Sequence, residues 1–212
     1  MASIFDLTTA ATLASALGVA SDTAALPRLI TASSRAIAKY CHTDLHYQAA
    51  LVESVVPSHP YIFLRAGIVT AITSITVDGV ALSPTTYRID NSLKGRLTVD
   101  QQLTSGVAGF SVGSISPTVL PYNTGSIVVT FSAGYITPGQ NAVSPGTYPT
   151  VNLPEDIEQA AVETAVAMYR RLGRDGDIAS TSLGVGSFTY TDKRAIPVSA
   201  RDLLTRYRKA WH

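Results

Sequence analysis

The sequence predicts an α+β fold, a small helical bundle packed with an antiparallel β-meander, and three observations carry that prediction. Apolar residues recur at helical spacing over residues 26–40 and again over 154–172. Between them, much of 47–100 alternates apolar and polar residues with a period of two. Asp78-Gly79 and Lys94-Gly95-Arg96 then supply the turns that such alternating runs need. With 212 residues the chain can bury a substantial core, and a single domain over 1–212 is expected.

At the start, Leu7 to Leu17 suits a short helix stopped by Gly18, with Ser21 or Asp22 placed to cap a second. In that second helix Leu26, Leu29, Ile30, Ala36, Ile37 and Tyr40 form one face, while Arg28, Arg35 and Lys39 lie off it. Pro27 belongs in the first turn, where its missing N–H costs no ladder bond. A β-rich section follows at about 47–135. Ile72, Ile75 and Val77 lead into the Asp-Gly turn and return through Val80 and Leu82, and Tyr87 and Ile89 alternate with Arg88 and Asp90.

Residues 101–154 hold no charged side chain but contain seven glycines and six prolines. That composition predicts loops around a strand at Ile127–Phe131, with an uncharged insertion at 101–125. Two readings fit the missing charge: a subunit interface through Phe110, Val112, Ile115, Val119, Leu120 and Tyr122, or an ordinary neutral loop. Leu153-Pro154-Glu155-Asp156 then opens a long helix near 154–172. Its carboxylates sit at the positive end of the dipole, and Ile157, Ala161, Ala165, Met168 and Leu172 form its stripe.

Beyond a glycine-containing stretch, Ser199-Ala200-Arg201-Asp202 has the spacing of a capping box ahead of a short helix. Leu203, Leu204, Tyr207 and Trp211 form its apolar seam, and Arg201, Arg206, Arg208 and Lys209 its other faces. Nine of the sixteen Lys and Arg residues lie after position 165, so the basic charge is concentrated in this last quarter. A docking segment is therefore expected at about 178–212, with Leu203, Leu204, Arg206, Tyr207, Arg208 and Trp211 meeting a protein partner. Contact with DNA phosphates and a plain helix folded onto its own core are the competing readings.

The composition narrows the function classes. A net charge of +1 gives no whole-molecule attraction to nucleic acid or to an acidic membrane. Cys41 is the single cysteine, so no internal disulfide forms and a cytosolic folding environment is expected. The first twenty residues lack a basic region of the signal-peptide type, and no run is apolar enough for a membrane span, so a soluble protein is expected.

Catalytic and metal motifs are weak. His42, Asp44 and His46 beside Cys41 are metal-ligand types without a partner cluster apart from lone His59. Gly109-Phe110-Ser111-Val112-Gly113 matches a nucleophile elbow, but Pro117 and Pro121 forbid the helix that must follow it. Gly184-Val185-Gly186 lacks the third glycine of a dinucleotide loop, and Asp175 and Asp177 lack the further oxygens of a calcium loop. Glu155, Asp156 and Glu158 are explained by the helix dipole. No enzyme activity, no cofactor and no metal are expected; the alternative is a small hydrolase using Ser111 or a His42/Asp44/His46 metal site.

The blocks LTTAATLASALGVASDTAALPRLITASSRAIAKYC, ITSITVDGVAL with YRID, VTFSAGY, LPEDIEQAAVETAVAMYRRLGR, SLGVGSFTY and LLTRYR follow one another along the chain. In that succession they resemble the head-to-tail connector, or adaptor, proteins of tailed bacteriophages and gene-transfer particles. The chain departs from the family pattern in its long uncharged regions and in HTDLH at 42–46. The resemblance implies a virion structural protein at the head–tail junction, made in the host cytoplasm. It further implies a ring of identical subunits, twelve in most members, beneath the portal protein, extending the DNA channel and meeting a stopper or tail component. On that reading Lys94 and Arg96 are candidates to face passing genomic DNA, without sequence specificity, and no membrane is involved. A stopper or tail terminator is the neighbouring alternative.

Overall fold

The computed structural model describes residues 2–55, 61–77, 79–99, 127–172, 180–183, 186–189 and 195–209. The chain divides into two compact units, one formed by Met1–His46 with Tyr135–His212 and the other by Tyr47–Gly134.

The helical unit begins with α1 (Ala10–Leu17), capped by Thr9, whose side chain accepts from the Thr12 backbone N–H, and ended by Gly18 in the left-handed region at φ 67°. The helix α2 (Leu26–Cys41) starts from Ala25 without a side-chain cap, so neither Ser21 nor Asp22 plays the expected capping role; Pro27 occupies the first turn instead. Its buried face runs through Leu26, Leu29, Ile30, Ser33, Ser34, Ile37 and Cys41. The two serines continue the apolar stripe because their hydroxyls are bonded inside the unit: Ser33 Oγ donates to the Ile30 carbonyl, and Ser34 Oγ accepts from the Leu7 N–H at 3.0 Å.

A short helix, α3 (Pro138–Val143), stands where the sequence reading expects only loop. Thr137 and Gln140 form a reciprocal capping box with Pro138 in the first turn, a signature present in Thr137-Pro138-Gly139-Gln140 and passed over among its glycines and prolines. The long helix α4 (Glu155–Arg171) follows, with Pro154 as its N-cap residue and Ile157, Ala160, Ala161 and Ala165 fully buried. Leu172, expected on the stripe, falls at the C-cap and is 66% exposed. α4 packs against α1, α2 and the C-terminal helix α5 (Val198–Leu204). The expected capping box of α5 is absent: Pro197 is its N-cap residue, and Ser199 Oγ instead donates to Glu163 on α4 at 2.6 Å.

The β unit holds β1 (Gln48–Val55), β2 (Tyr61–Phe63), β3 (Val69–Val77), β4 (Val80–Ala81), β5 (Tyr87–Asn91), β6 (Arg96–Val99) and β7 (Ile127–Ala133). Among the described residues all pairings in it are antiparallel, in keeping with the α+β class, but the order is not that of a meander. One sheet runs β1-β7-β3-β4 and the other β2-β6-β5. The strand beyond the uncharged stretch, β7, enters between β1 and β3, pairing Leu51 and Ile72 with Phe131. Alternation reports which residues face the core, but it carries no information on strand order. The inner residues Ile62, Leu64, Ile75, Leu97, Val129 and Phe131 form a single core drawn from both sheets. A further hairpin pairs β8 (Ser180–Leu183) with β9 (Gly186–Thr189). Among the described residues, no helix is long and apolar enough to cross a membrane.

Two glycines are set by close approach. A Cβ at Gly95, in the hairpin tip at φ 64°, would meet the Ala66 carbonyl oxygen at 2.5 Å. One at Gly139 would lie 2.1 Å from the Ser3 carbonyl oxygen, because the first residues of the chain cross directly over α3. Gly139→Ala must displace backbone on one side or the other and is expected to lower the unfolding free energy by about 1–3 kcal/mol. Denaturant titration against the wild-type chain checks this.

Candidate interaction site

The C-terminal segment is built onto the helical unit by both of its chemistries. Leu204 and Tyr207 are 0% and 3% exposed, so two of the residues read as anchors for a partner fill the unit's own core, as a plain terminal helix would. Leu203 is half-buried, and Trp211 lies outside the described residues. After α5 the chain makes one 3-10 turn (Thr205–Tyr207) and runs extended, and the Lys209 N–H donates to the Cys41 carbonyl at 2.9 Å. This bond satisfies a free carbonyl at the C-terminal end of α2.

Cations on this segment are arranged around aromatic rings. The guanidinium of Arg206 lies 4.7 Å from the Tyr207 ring centroid and hydrogen-bonds the Tyr207 hydroxyl. It also pairs with Asp156 at 2.8 Å, joining the segment to the first turn of α4. With both side chains well exposed, that ion pair positions the segment more than it stabilises the fold. Arg201 and Arg208 approach the Tyr40 ring at 5.8 and 5.5 Å, so one α2 tyrosine serves two guanidinium groups. Tyr135 is close enough to feel this cluster; burial, and then the neighbouring Tyr207, push its phenol above the ordinary range, against the lowering effect of Arg206. What remains open to a partner is a basic edge, the exposed Arg206 and Arg208.

The other sequence candidates are dispersed. Lys94 is exposed at the β5–β6 turn, where its N–H donates to Asn91 Oδ1, and Arg96 pairs with Asp90 and covers the Tyr61 ring at 4.9 Å. Phe110, Val112, Ile115, Val119, Leu120, Tyr122 and Ser111 lie outside the described residues. His42 closes α2 in the left-handed region at φ 54°. His46 packs edge-on to Phe5 at 4.7 Å, and burial pushes its imidazole below the ordinary value against the opposing effect of Asp44. Among the described residues, no three His, Cys, Asp or Glu side chains come together as a metal set.

The role of Tyr40 as a shared ring, the Asp156–Arg206 pair and the Ser199–Glu163 bond were not foreseen from sequence. Each joins residues far apart in the chain and has no local signature. Cys41, fully buried beneath this segment, has its thiol pushed up to about 12 by desolvation, with Arg208 acting weakly the other way. The folded thiol is therefore protonated at neutral pH and should resist a disulfide reagent at pH 8, reacting fast only on unfolding. Because the folded value lies above the ordinary 9.0, this group's stabilising contribution is full below pH 9 and is lost as pH rises towards about 12. Thiol-labelling kinetics and alkaline unfolding curves, compared with Cys41→Ala, measure both.

No protein-family model matches the chain, and neither does any curated protein sequence. Solved structures do match it in shape. One is a chain from the neck of an empty gene transfer agent particle computed with C6 symmetry, with a TM-score of 0.51 at 17% identity, covering 100% of this chain and 94% of that one. Another, from the virion of a native gene transfer agent particle, has a TM-score of 0.50 at 16% identity with the same coverage. At such low identity the shared property is the fold, along the whole length of this chain.

Proposed function

We propose that this chain is a structural subunit of a virion neck, specifically a head-to-tail connector adaptor. In this reading identical copies close into a ring beneath a portal protein, extend the channel for the genome and offer a surface to a stopper or tail component. The observation that carries it is the end-to-end correspondence in fold with a chain from a gene transfer agent neck, reported with C6 symmetry. The succession of connector-like sequence blocks, from LTTAATLASALGVA to LLTRYR, supports it independently of shape. Twelve copies per ring is what the sequence resemblance implies.

The adaptor acts by geometry and binding, without turnover. Its portal contact is assigned to the C-terminal segment, with the exposed Arg206 and Arg208 as the charged contacts, Leu203 beside them and Trp211 further along the chain. Leu204 and Tyr207 serve the same contact indirectly, by fixing the segment to α2 and α4. Contacts between copies are assigned to the uncharged stretch through Phe110, Val112, Ile115, Val119, Leu120 and Tyr122, whose support is the absence of any charge over 101–154. Lys94 remains a candidate to face the genome, whereas Arg96 is engaged by Asp90 and Tyr61.

Deleting the whole segment would remove Leu204 and Tyr207 from the core and confuse unfolding with loss of docking. The reversal Arg208→Glu avoids this, since that side chain is exposed and, unlike Arg206, is paired with no carboxylate among the described residues. It should weaken co-purification with portal-bearing heads by about tenfold or more, as expected for reversed interface charges, while leaving cooperative thermal unfolding intact. Undiminished portal binding would remove the segment from the interface. Electron microscopy of the particle neck tests the wider reading, which fails if the protein's density lies elsewhere.

A further inference from the structure

The outward face of α2 carries a feature that neither the connector reading nor the C-terminal segment uses. Arg28, Arg35 and Lys39 are all exposed and stand at spacings of seven and four residues, which places them along one side of the helix. From Arg28 to Lys39 the ridge runs roughly 16 Å. α2 contains no acidic residue, and none of the three cations has an ion-pair partner among the described residues. Between Arg28 and Arg35 lies an open groove of about 600 Å³ lined also by Ala24, Pro27, Thr31 and Ala32. The nearby carboxylate, Asp6, is 4% exposed and turned to internal donors, the Ser3 N–H at 2.7 Å and Thr31 Oγ1 at 2.8 Å.

We infer that this ridge is a contact site for the phosphate backbone of double-stranded DNA. Three uncompensated cations in a line complement a polyanion, and guanidinium groups suit phosphate oxygens in particular. The floor between Arg28 and Arg35 is made of Ala32, Thr31 and Pro27, small enough for a sugar–phosphate backbone to approach closely. An acidic protein partner fits less well, because such an interface has an apolar or aromatic core among its charges. Here the groove lining of Ala24, Pro27, Thr31 and Ala32 offers no aromatic or large aliphatic side chain, and Phe5, though 36% exposed, already has Arg35 over its ring at 5.8 Å and His46 against its edge. With a net charge of only +1, the attraction belongs to this ridge and not to the molecule as a whole. The choice of duplex DNA as the polymer rests on the connector reading; the ridge's affinity for a polyanion does not.

Fluorescence anisotropy of the full chain with a short mixed-sequence duplex, across a salt series, tests the site. Three neutralised phosphates predict a log K against log salt slope of about −2.7. The triple variant Arg28→Gln, Arg35→Gln, Lys39→Gln should lose most of that slope, whereas Arg170→Gln, at an exposed cation on α4, should keep it; circular dichroism confirms that both remain folded. The proposal is overturned by a triple variant with unchanged slope, by a wild-type chain that fails to bind at low salt, or by polyglutamate displacing the duplex at equal charge concentration. The last result would assign the ridge to an acidic protein. Failure here leaves the neck localisation by microscopy unaffected, and the microscopy result does not alter this one.

Discussion

How closely the other helices can approach α4 is the constraint on which the helical unit depends. Ala160, Ala161 and Ala165 are completely buried, and a larger side chain at any of them would force apart elements packed on α4. Close approach is what lets the C-terminal segment reach back to α2, so that Lys209 bonds to Cys41 and Arg208 faces Tyr40. It is also what brings Arg206 beside Asp156 in the first turn of α4. The placement of the basic edge thus begins with three methyl groups. A subunit that works by presenting surfaces needs such a rigid interior, because the spacing of its contacts is its chemistry.

Charge is divided sharply within this frame. α2 carries bare cations along one side, whereas α4 carries carboxylates in its first turn and arginines in its last. The dipole explains the pattern of α4, in which Glu155, Asp156 and Glu158 meet the positive end and Arg170 and Arg171 the negative end. It does not explain α2, where only Lys39 lies in the last turn and Arg28 lies near the start, the end that disfavours a cation. Arg28 is thus kept against the local dipole with no ion-pair partner among the described residues, a placement that the polyanion site proposed for this ridge would account for.

Periodicity makes most of the elements legible in the sequence. α2, α4 and the strands from β1 to β7 occupy the segments that spacing assigned to them, because a buried face leaves a record at every third, fourth or second residue. Two kinds of information were missing. Strand order was one: β7 lies between β1 and β3, and nothing in IVVTFSA says which neighbours will take it. Competition among hydrogen bonds was the other. Ser199 has the position of a helix cap, yet its hydroxyl goes to Glu163, and Leu204 and Tyr207 look available to a partner until the helices around them are in place. The chemistry of the segment was readable, whereas its allegiance to the unit's own core was not. α3 was readable too, since Thr137, Pro138 and Gln140 carry a full capping signature, and glycine and proline counts obscured it.

The way the first residues are fastened sets an order of events during synthesis. The Ile4 carbonyl accepts from Thr137 Oγ1 and the Asp6 carbonyl from the Gly139 N–H, both contributed by chain made much later. Every strand from β1 to β7 lies between those partners in sequence, so the β unit has left the ribosome before the helical unit can close. The amino-terminal helices must wait for the ring of contacts that α3 and α4 complete, with Leu7, Leu13 and Ile37 still uncovered. Within the helical unit, exposure to aggregation is therefore greatest while residues 1–46 await α3 and α4.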